Sequence, residues 1–320
     1  TMYRYILKRI AMMVLVLIGV TFVVYFIVDK TPGNPAAMIL GNAATPESIA
    51  KLEEDMGLKD PLPVRYIRYM AGVVRGDFGT SYKTKMEVGT QIAEKLPNTI
   101  LLSFGGMVVA VLIGIPVGIL CAKKQYSVFD NIAMFVTLLG TSAPPFWMGL
   151  VLIILFSLGL GWFPSSNMGD GFFGVIHSLV LPAFTAGASC GSVIARMTRS
   201  SMLEVINADY ITTARAKGLG ERIVTMRHMF RNALIPVVTV VGLQFGMLLG
   251  GAVMTETVFA WPGLGRYLLD AVKSKDTPAI LGSVIVISVM LSVVNLLVDI
   301  LYAYIDPRIK SQYKAAGGGV

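Results

Sequence analysis

Six stretches of this chain, residues 10–28, 99–122, 131–169, 178–195, 232–255 and 277–298, contain no lysine, arginine, aspartate or glutamate. A helix needs about 20 mostly apolar residues to cross a hydrocarbon core about 30 Å thick. The runs therefore predict an all-α polytopic membrane protein with six transmembrane helices, one followed by a group of five. The third run is too long for one crossing, and its loop-like segment GLGWFPSSNMG at 159–169 places the end of that helix near Leu158. Composition agrees, because only 14% of residues are charged where a soluble domain carries about 25%. The first run could pass for a signal peptide, but no small-x-small cleavage site follows it and the chain continues Asp29, Lys30, Thr31, Pro32. It is read as helix 1.

The formal charge of +8 would suggest nucleic acid on a soluble protein, but here it reports topology. With the N-terminus inside, the short cytoplasmic pieces hold fifteen basic residues, among them Lys8, Arg9, Lys123, Lys124, Arg196, Arg199, Arg222, Arg227, Arg231 and Arg308. The short outer loops hold three, Arg266, Lys273 and Lys275. Positive residues favour the cytoplasmic side, so both termini are expected inside, in a bacterial inner (plasma) membrane, and no nucleic-acid partner is implied.

Four regions follow: 1–28, the N-terminal end with helix 1; 29–97, an extracytoplasmic helical segment; 98–310, a five-helix core with a cytoplasmic loop at 197–231; and 311–320, a tail. Residues 29–97 are too many for a turn and too apolar for a disordered linker. Thr45-Pro46-Glu47 reads as an N-cap, a first-turn proline and a first-turn acid, with Gly57 as the stop. Residues 63–74 and 88–96 read as two further helices. The loop is short and basic. A helix over 201–216 places Met202, Val205, Ile206, Tyr210, Thr213 and Ala214 near one face, and Lys217-Gly218-Leu219-Gly220 supplies the left-handed cap. Ala214, Ala216 and Gly218 form a close-approach knob suited to a soluble partner's groove, flanked by Arg215 and Lys217; a plain solvated basic loop is the alternative.

Several chemistries lack their residues. The sequence has no G-x-x-x-x-G-K-[ST] phosphate cradle, no H-E-x-x-H and no G-x-S-x-G, which argues against ATP hydrolysis or proteolysis by this chain. Cys121 and Cys190 stand apart in apolar runs, which argues against a disulfide framework or a paired-cysteine zinc site. Glu256 and Asp299 are expected near helix ends, within reach of water or a basic neighbour, and His177 is expected as an interfacial residue. In helix 5, Gly242, Gly246 and Gly250 recur every four residues beside Gln244. Such a ridge admits a neighbouring helix, in the same chain or in a second subunit across a pathway. Pairs at Gly114/Gly118 and Gly187/Gly191, with Pro116, Pro144, Pro145 and Pro182, suit a pathway-lining bundle that moves.

The sequence DYITTARAKGL at 209–219, followed by RNALIP at 231–236, resembles the cytoplasmic "EAA" loop of bacterial ABC importer permeases in the form used by the dipeptide and oligopeptide (peptide/nickel) group. Further matches are PGNP (32–35), GDFG (76–79), LPNT (96–99), PPFW (144–147), RMTRSSM (196–202), TETVFAWPGLG (255–265) and DPRI (306–309). The pattern covers nearly the whole chain and looks like the "B" permease of a peptide importer. Thr212 stands where many other importers carry the glutamate that names the loop, so no charge contact is carried over there. Thr1 before Met2 and the tail at 315–320 read as additions to the natural chain.

The resemblance implies a transport subunit without enzymatic activity or a cofactor of its own. It would work with a similar second permease, two cytoplasmic ATPase subunits that bind ATP and Mg, and an extracytoplasmic substrate-binding protein, all embedded in membrane lipid. Tyr210, Thr213, Ala214, Arg215, Ala216, Lys217, Gly218 and Leu219 would form the coupling helix seated in an ATPase groove. Short peptides are favoured as cargo over metal chelates, because no His, Cys or Met cluster has metal-ligand spacing; nickel complexes or glutathione carried by the same architecture are the alternative. An ion-coupled secondary transporter is the distant alternative, and it would need intramembrane acids for which only Asp299 and Glu256 are candidates.

The topology is directly testable. A cysteine placed at Ser48 should react with an impermeant maleimide on intact cells, and one placed at Asn207 should react only after lysis.

Overall fold

Hydrocarbon offers a backbone no water to bond with, so a spanning segment must pair its N–H and C=O groups internally. The computed structural model, which describes residues 2–31, 33–41 and 44–305, is accordingly helical, with one isolated antiparallel bridge, Thr80 to Glu87, among the described residues. The DPRI motif at 306–309, the tail and Pro32 lie outside the described residues.

Helix α1 (Met2–Lys30) outruns its charge-free stretch at both ends, since basic side chains near a membrane end can extend to the interface. Its C-terminal half carries the segment that follows it, up to α5. Asn34 caps α2 (Pro35–Leu40) by accepting from the amides of Ala36 and Ala37. Thr45 caps α3 (Pro46–Asp55) in a reciprocal box with Ser48, as the sequence predicts, and Gly57 ends it at φ +64°. Helix α4 (Leu62–Val74) then lies on α1. The Tyr66 hydroxyl is 2.8 Å from that of Thr21, its ring meets Phe22 edge-on, and Arg65 pairs with Asp29 at 2.6 Å.

The expected third outer helix does not exist separately. Residues 88–96 are the first turns of one 36-residue helix, α5 (Val88–Lys123), which carries Pro97 and Pro116 inside it. The missing Pro97 donor is tolerated where protein surrounds the break, and one residue on the Asn98 carbonyl takes an additional donor, the Trp261 indole at 2.9 Å.

Helix 3 also departs from expectation. It is a bent pair, α6 (Val128–Ser142) and α7 (Pro145–Leu152) with the π-helical stretch Ile153–Gly159, meeting at 108°. The cause is local, because Pro144 and Pro145 cannot donate and hold Ala143 and Pro144 in extended conformation. Among the described residues five helices are long and apolar enough to span a membrane, and six spans result if the bent pair is one of them.

Helix α8 (Gly171–Ile206) is far longer than its charge-free run and continues into the basic loop. Short helices α9 (Asp209–Ala216) and α10 (Glu221–Ile223) lead through the π-helical Val224–Phe230 into α11 (Arg231–Gly251). After α12 (Val253–Val258) and the amphipathic α13 (Leu264–Lys273), α14 (Thr277–Ile305) closes the described chain. Asp276, buried just before α14, accepts from the Ser81 hydroxyl at 2.5 Å and from the amides of Tyr82 and Lys83, fastening the outer segment to the bundle.

The closest helix pair is α5 with α8. A Cβ at Gly114 would sit 2.6 Å from the Gly191 carbonyl, one at Gly118 would sit 2.5 Å from the Thr198 side chain, and one at Gly187 would strike the Gly106 carbonyl. The ridge in α11 is partly taken up inside the chain. Gly242 faces Val298 and Gly246 faces Asn295, both on α14, while Gly250 is exposed, with Leu291 4.0 Å from its Cβ position. Gln244 is buried.

Overpacking a close-packed contact costs about 1–3 kcal/mol. Gly118→Leu should therefore lower the thermal midpoint of the purified protein by several degrees, while Gly251→Leu, with nothing within 4 Å of its Cβ position, should shift it far less.

Candidate functional site

The loop between α8 and α11 is two helices with a break, not the single helix predicted over 201–216. Asn207 (φ −100°, ψ 8°) and Ala208 (φ −70°, ψ 144°) leave helical geometry, and the chain restarts at Asp209. Asn and Asp favour such ends because their side chains compete for backbone groups. The break turns α9 so that Ile211 and Ala214 are buried against Ile119, Ala122, Met202, Val224, Met229 and Ala233. Ala214, expected at an outward close contact, instead anchors α9 to its own chain.

The remaining predicted positions face out. Tyr210 is 44% exposed and Leu219 38% exposed, and Thr213, Arg215, Ala216, Lys217 and Gly218 are exposed as well. Gly218 has φ +75°, the left-handed cap that its sequence context predicts, and its Cβ position is open. Arg215 donates through Nε to Glu221 at 2.8 Å across the turn, an exposed pair that contributes little stability. Ile223 and Met226, 49% and 50% exposed, extend the apolar patch and were missed by motif reading. Their signal was an apolar pair within a basic loop, next to the recognised motif.

A second feature escaped the sequence. Arg199 on α8 forms a two-pronged pair with Asp130 on α6, with Nε to Oδ1 and Nη2 to Oδ2 both at 2.7 Å, and the Asp130 side chain is only 2% exposed. Asp130 also accepts from the Tyr126 amide. Arg196, one turn earlier on α8, donates to Thr141 at 3.2 Å. Both arginines lay in the RMTRSSM motif, but their partners are about 60 residues away in sequence and could not be paired by spacing.

At the opposite end, Glu256 is fully buried and not in reach of water as expected. The TETVFAWPGLG segment folds over it: Thr99 Oγ1 donates at 2.6 Å and the Arg266 amide at 2.8 Å, while Thr99 Oγ1 accepts from the Leu264 amide at 2.8 Å. Gly263 and Gly265 are required there, since a Cβ on either would meet the carboxylate. His177 is exposed and partnered, with Nε2 2.8 Å from the Trp162 carbonyl oxygen and its ring packed on Phe163. In the outer segment burial pushes the Tyr82 hydroxyl up to about 12, with Asp276 acting in the same direction. The side chain of Asp299 lies outside the described residues. No cluster of three potential metal ligands occurs among the described residues.

Residues 114–311 match the family described as "Binding-protein-dependent transport system inner membrane component", and residues 2–103 match its N-terminal companion. The chain belongs to this family. It is 43% identical to the dipeptide transport system permease protein DppB of Alkalihalophilus pseudofirmus, with 97% of this chain and 100% of that protein covered. It is 40% identical to the oligopeptide permease AppB of Bacillus subtilis and 42% identical to the glutathione permease GsiC of Salmonella paratyphi A, again over 97% of the chain. The inward-facing MetNI methionine ABC transporter shares its fold, with TM-score 0.55 at 18% identity over 67% of this chain and 96% of that one. The DppB and AppB likenesses agree with the peptide-permease resemblance in the sequence motifs. The chain is thus a membrane-spanning, multi-pass permease subunit with an all-helical fold.

In this permease the Asp130–Arg199 pair holds the lower half of α8 against α6. Removing one partner of a buried pair strands the other charge, at a cost of about 3–5 kcal/mol. Arg199→Ala should lower the thermal midpoint markedly, and Asp130→Asn in the same chain should restore most of the loss.

Proposed function

We propose that this permease imports short peptides, forming a translocation pathway with a second, similar permease, and that ATP is hydrolysed by two cytoplasmic ATPase subunits docked on the α9 loop. The observation that carries the reading is the construction of that loop. Its inner face, Ile211 and Ala214, is locked into the bundle, while Tyr210, Leu219, Ile223 and Met226 present an apolar surface among exposed basic residues. A rigidly held knob with exposed apolar side chains is what transmits movement of another subunit into helices. An extracytoplasmic binding protein would deliver cargo to the cap formed by α2, α3 and α4, on the side opposite the loop. Both termini would be cytoplasmic, as the distribution of basic residues requires.

Peptide cargo is supported by the dipeptide and oligopeptide relatives, which cover nearly the whole chain. The glutathione relative at 42% identity favours a second reading of cargo, with the same machinery.

A strain lacking this permease tests both levels at once. Complementation with the wild type should restore uptake of labelled di- and tripeptides, leaving glutathione and nickel uptake unchanged. Restored glutathione or nickel uptake without peptide uptake would overturn the cargo assignment. Gly218→Trp, whose side chain would project from the turn into a docked subunit, should assemble in the membrane yet lose at least about 90% of uptake, as a packed groove rejects added volume. Full uptake by that variant would remove the loop from the coupling role.

A further inference from the structure

Helix α8 packs against α5, α6 and α11, and one stripe of it is left partly open. Ser189, Val193 and Arg196 are half-buried and Ser200 is exposed. At 3.6 residues per turn these four positions fall within about 60° of one another around the helix. Two serines and an arginine make a poor lipid face, because a cation within a span faces protein or a water-filled cavity. The stripe suits the aqueous side of a pathway.

Beside the stripe, α6 stops at its proline bend. Pro144 and Pro145 carry no N–H, so the carbonyls of Gly140 and Thr141 lack their helical donors, and Ser142 is exposed next to them. Arg196 reaches this polar end, where its Nη1 donates to the Thr141 hydroxyl at 3.2 Å. Among the described residues that is its one hydrogen bond, and it forms no ion pair. The neighbouring carboxylate is not open to it, since Arg199 holds both oxygens of Asp130. Thr141 lies three turns beyond Asp130 on α6, about 16 Å. The Arg196 guanidinium is thus turned away from the α9 loop and into the bundle, as the tilt of helical side chains toward the N-terminus favours.

We infer that Arg196 receives the terminal carboxylate of the peptide as it passes along α8. That carboxylate is the anion every short peptide shares, and the guanidinium fork binds carboxylates through two parallel hydrogen bonds. The bond to Thr141 uses only one N–H of the fork. The carbonyl end of α6 carries partial negative charge and offers acceptors to the peptide's ammonium group. A lipid phosphate is the poorer occupant, because it would approach from the interface near Arg199, on the side from which Arg196 points away. The inference rests on the proposed peptide cargo, and failure of that reading would show separately, as a wild type that restores no peptide uptake.

The test takes the transporter purified with its ATPase subunits, trapped with ATP and vanadate and free of binding protein, and measures trialanine and trialanine amide by saturation-transfer NMR. The wild type should bind trialanine about tenfold more tightly than the amide, the worth of one hydrogen-bonded charge pair. Arg196→Gln should bind the two alike and keep the wild-type thermal midpoint, and Arg196→Lys should recover part of the preference. In the complemented strain Arg196→Gln should lower the maximal rate of tripeptide uptake and leave the half-saturating concentration unchanged. Equal binding of trialanine and its amide by the wild type would overturn the inference, as would no trialanine binding in the trapped state while uptake is normal. Unchanged uptake by Arg196→Gln, with an anionic lipid lost from its native mass spectrum, would also overturn it and assign the arginine to a lipid phosphate.

Discussion

Close approach between α5 and α8 is the contact on which the rest of the bundle depends. Lipid chains are as apolar as leucine, so no hydrophobic force drives two helices together inside a bilayer, and association relies on dispersion contacts made possible by small residues. Gly106, Gly114 and Gly118 on α5 and Gly187 and Gly191 on α8 bring main chains into contact. That leaves the partner faces of both helices for Met107, Ala110, Cys190 and Ile194, which form a core with Leu248 of α11. The α11–α14 contact repeats the device at Gly242 and Gly246. Glycine contacts thus join α5 to α8 and α11 to α14, and the apolar core around Leu248 links the two pairs.

Each end of this bundle is fixed by a buried charge, in a different manner. At the end that carries the α9 loop Asp130 and Arg199 satisfy one another, and the pair costs little only because its geometry is two-pronged and a backbone amide adds a third bond. At the other end Glu256 has no cation in hydrogen-bond contact and relies on a hydroxyl and an amide that the WPGLG turn brings over it. Buried charge with partners from distant segments ties those segments together, because separating them would leave the charge unsolvated.

The long apolar helices, the cap of α3 and the glycine turn that ends α9 were legible because each is written in local pattern: charge-free length, Thr45 before Pro46, Gly218 after a basic turn. What was not legible depends on long-range partners. Periodicity put Ala214 on the face of Met202, with which it is buried, and the run of small residues Ala214, Ala216 and Gly218 made it look like an outward contact. The Gly242 ridge announced a close neighbour without saying which, and Val298 and Asn295 of the same chain fill the place. Glu256 looked solvent-accessible at a helix end because the sequence does not show that the following turn folds back over it. Pro144-Pro145 was readable as a breaker, but not as a bend of 108°.

The length of α8 bears on how a signal at the loop could reach the pathway. Its 36 residues extend about 54 Å at 1.5 Å per residue, from the outer surface to two residues before α9. A helix resists compression along its axis because every turn is bonded to the next, so displacement of α9 is passed along α8 and not absorbed. Pro182 is its one internal proline, and residues N-terminal to it are the place for the helix to bend. Below that point Arg196 and Arg199 hold α6, and α6 ends at the Pro144-Pro145 bend. Arg196 and Arg199 tie α6 to α8, so a push on the loop would carry the two together and concentrate strain where prolines have removed backbone bonds. The positions of the prolines decide which part of the bundle yields, and the glycine contacts decide which part does not.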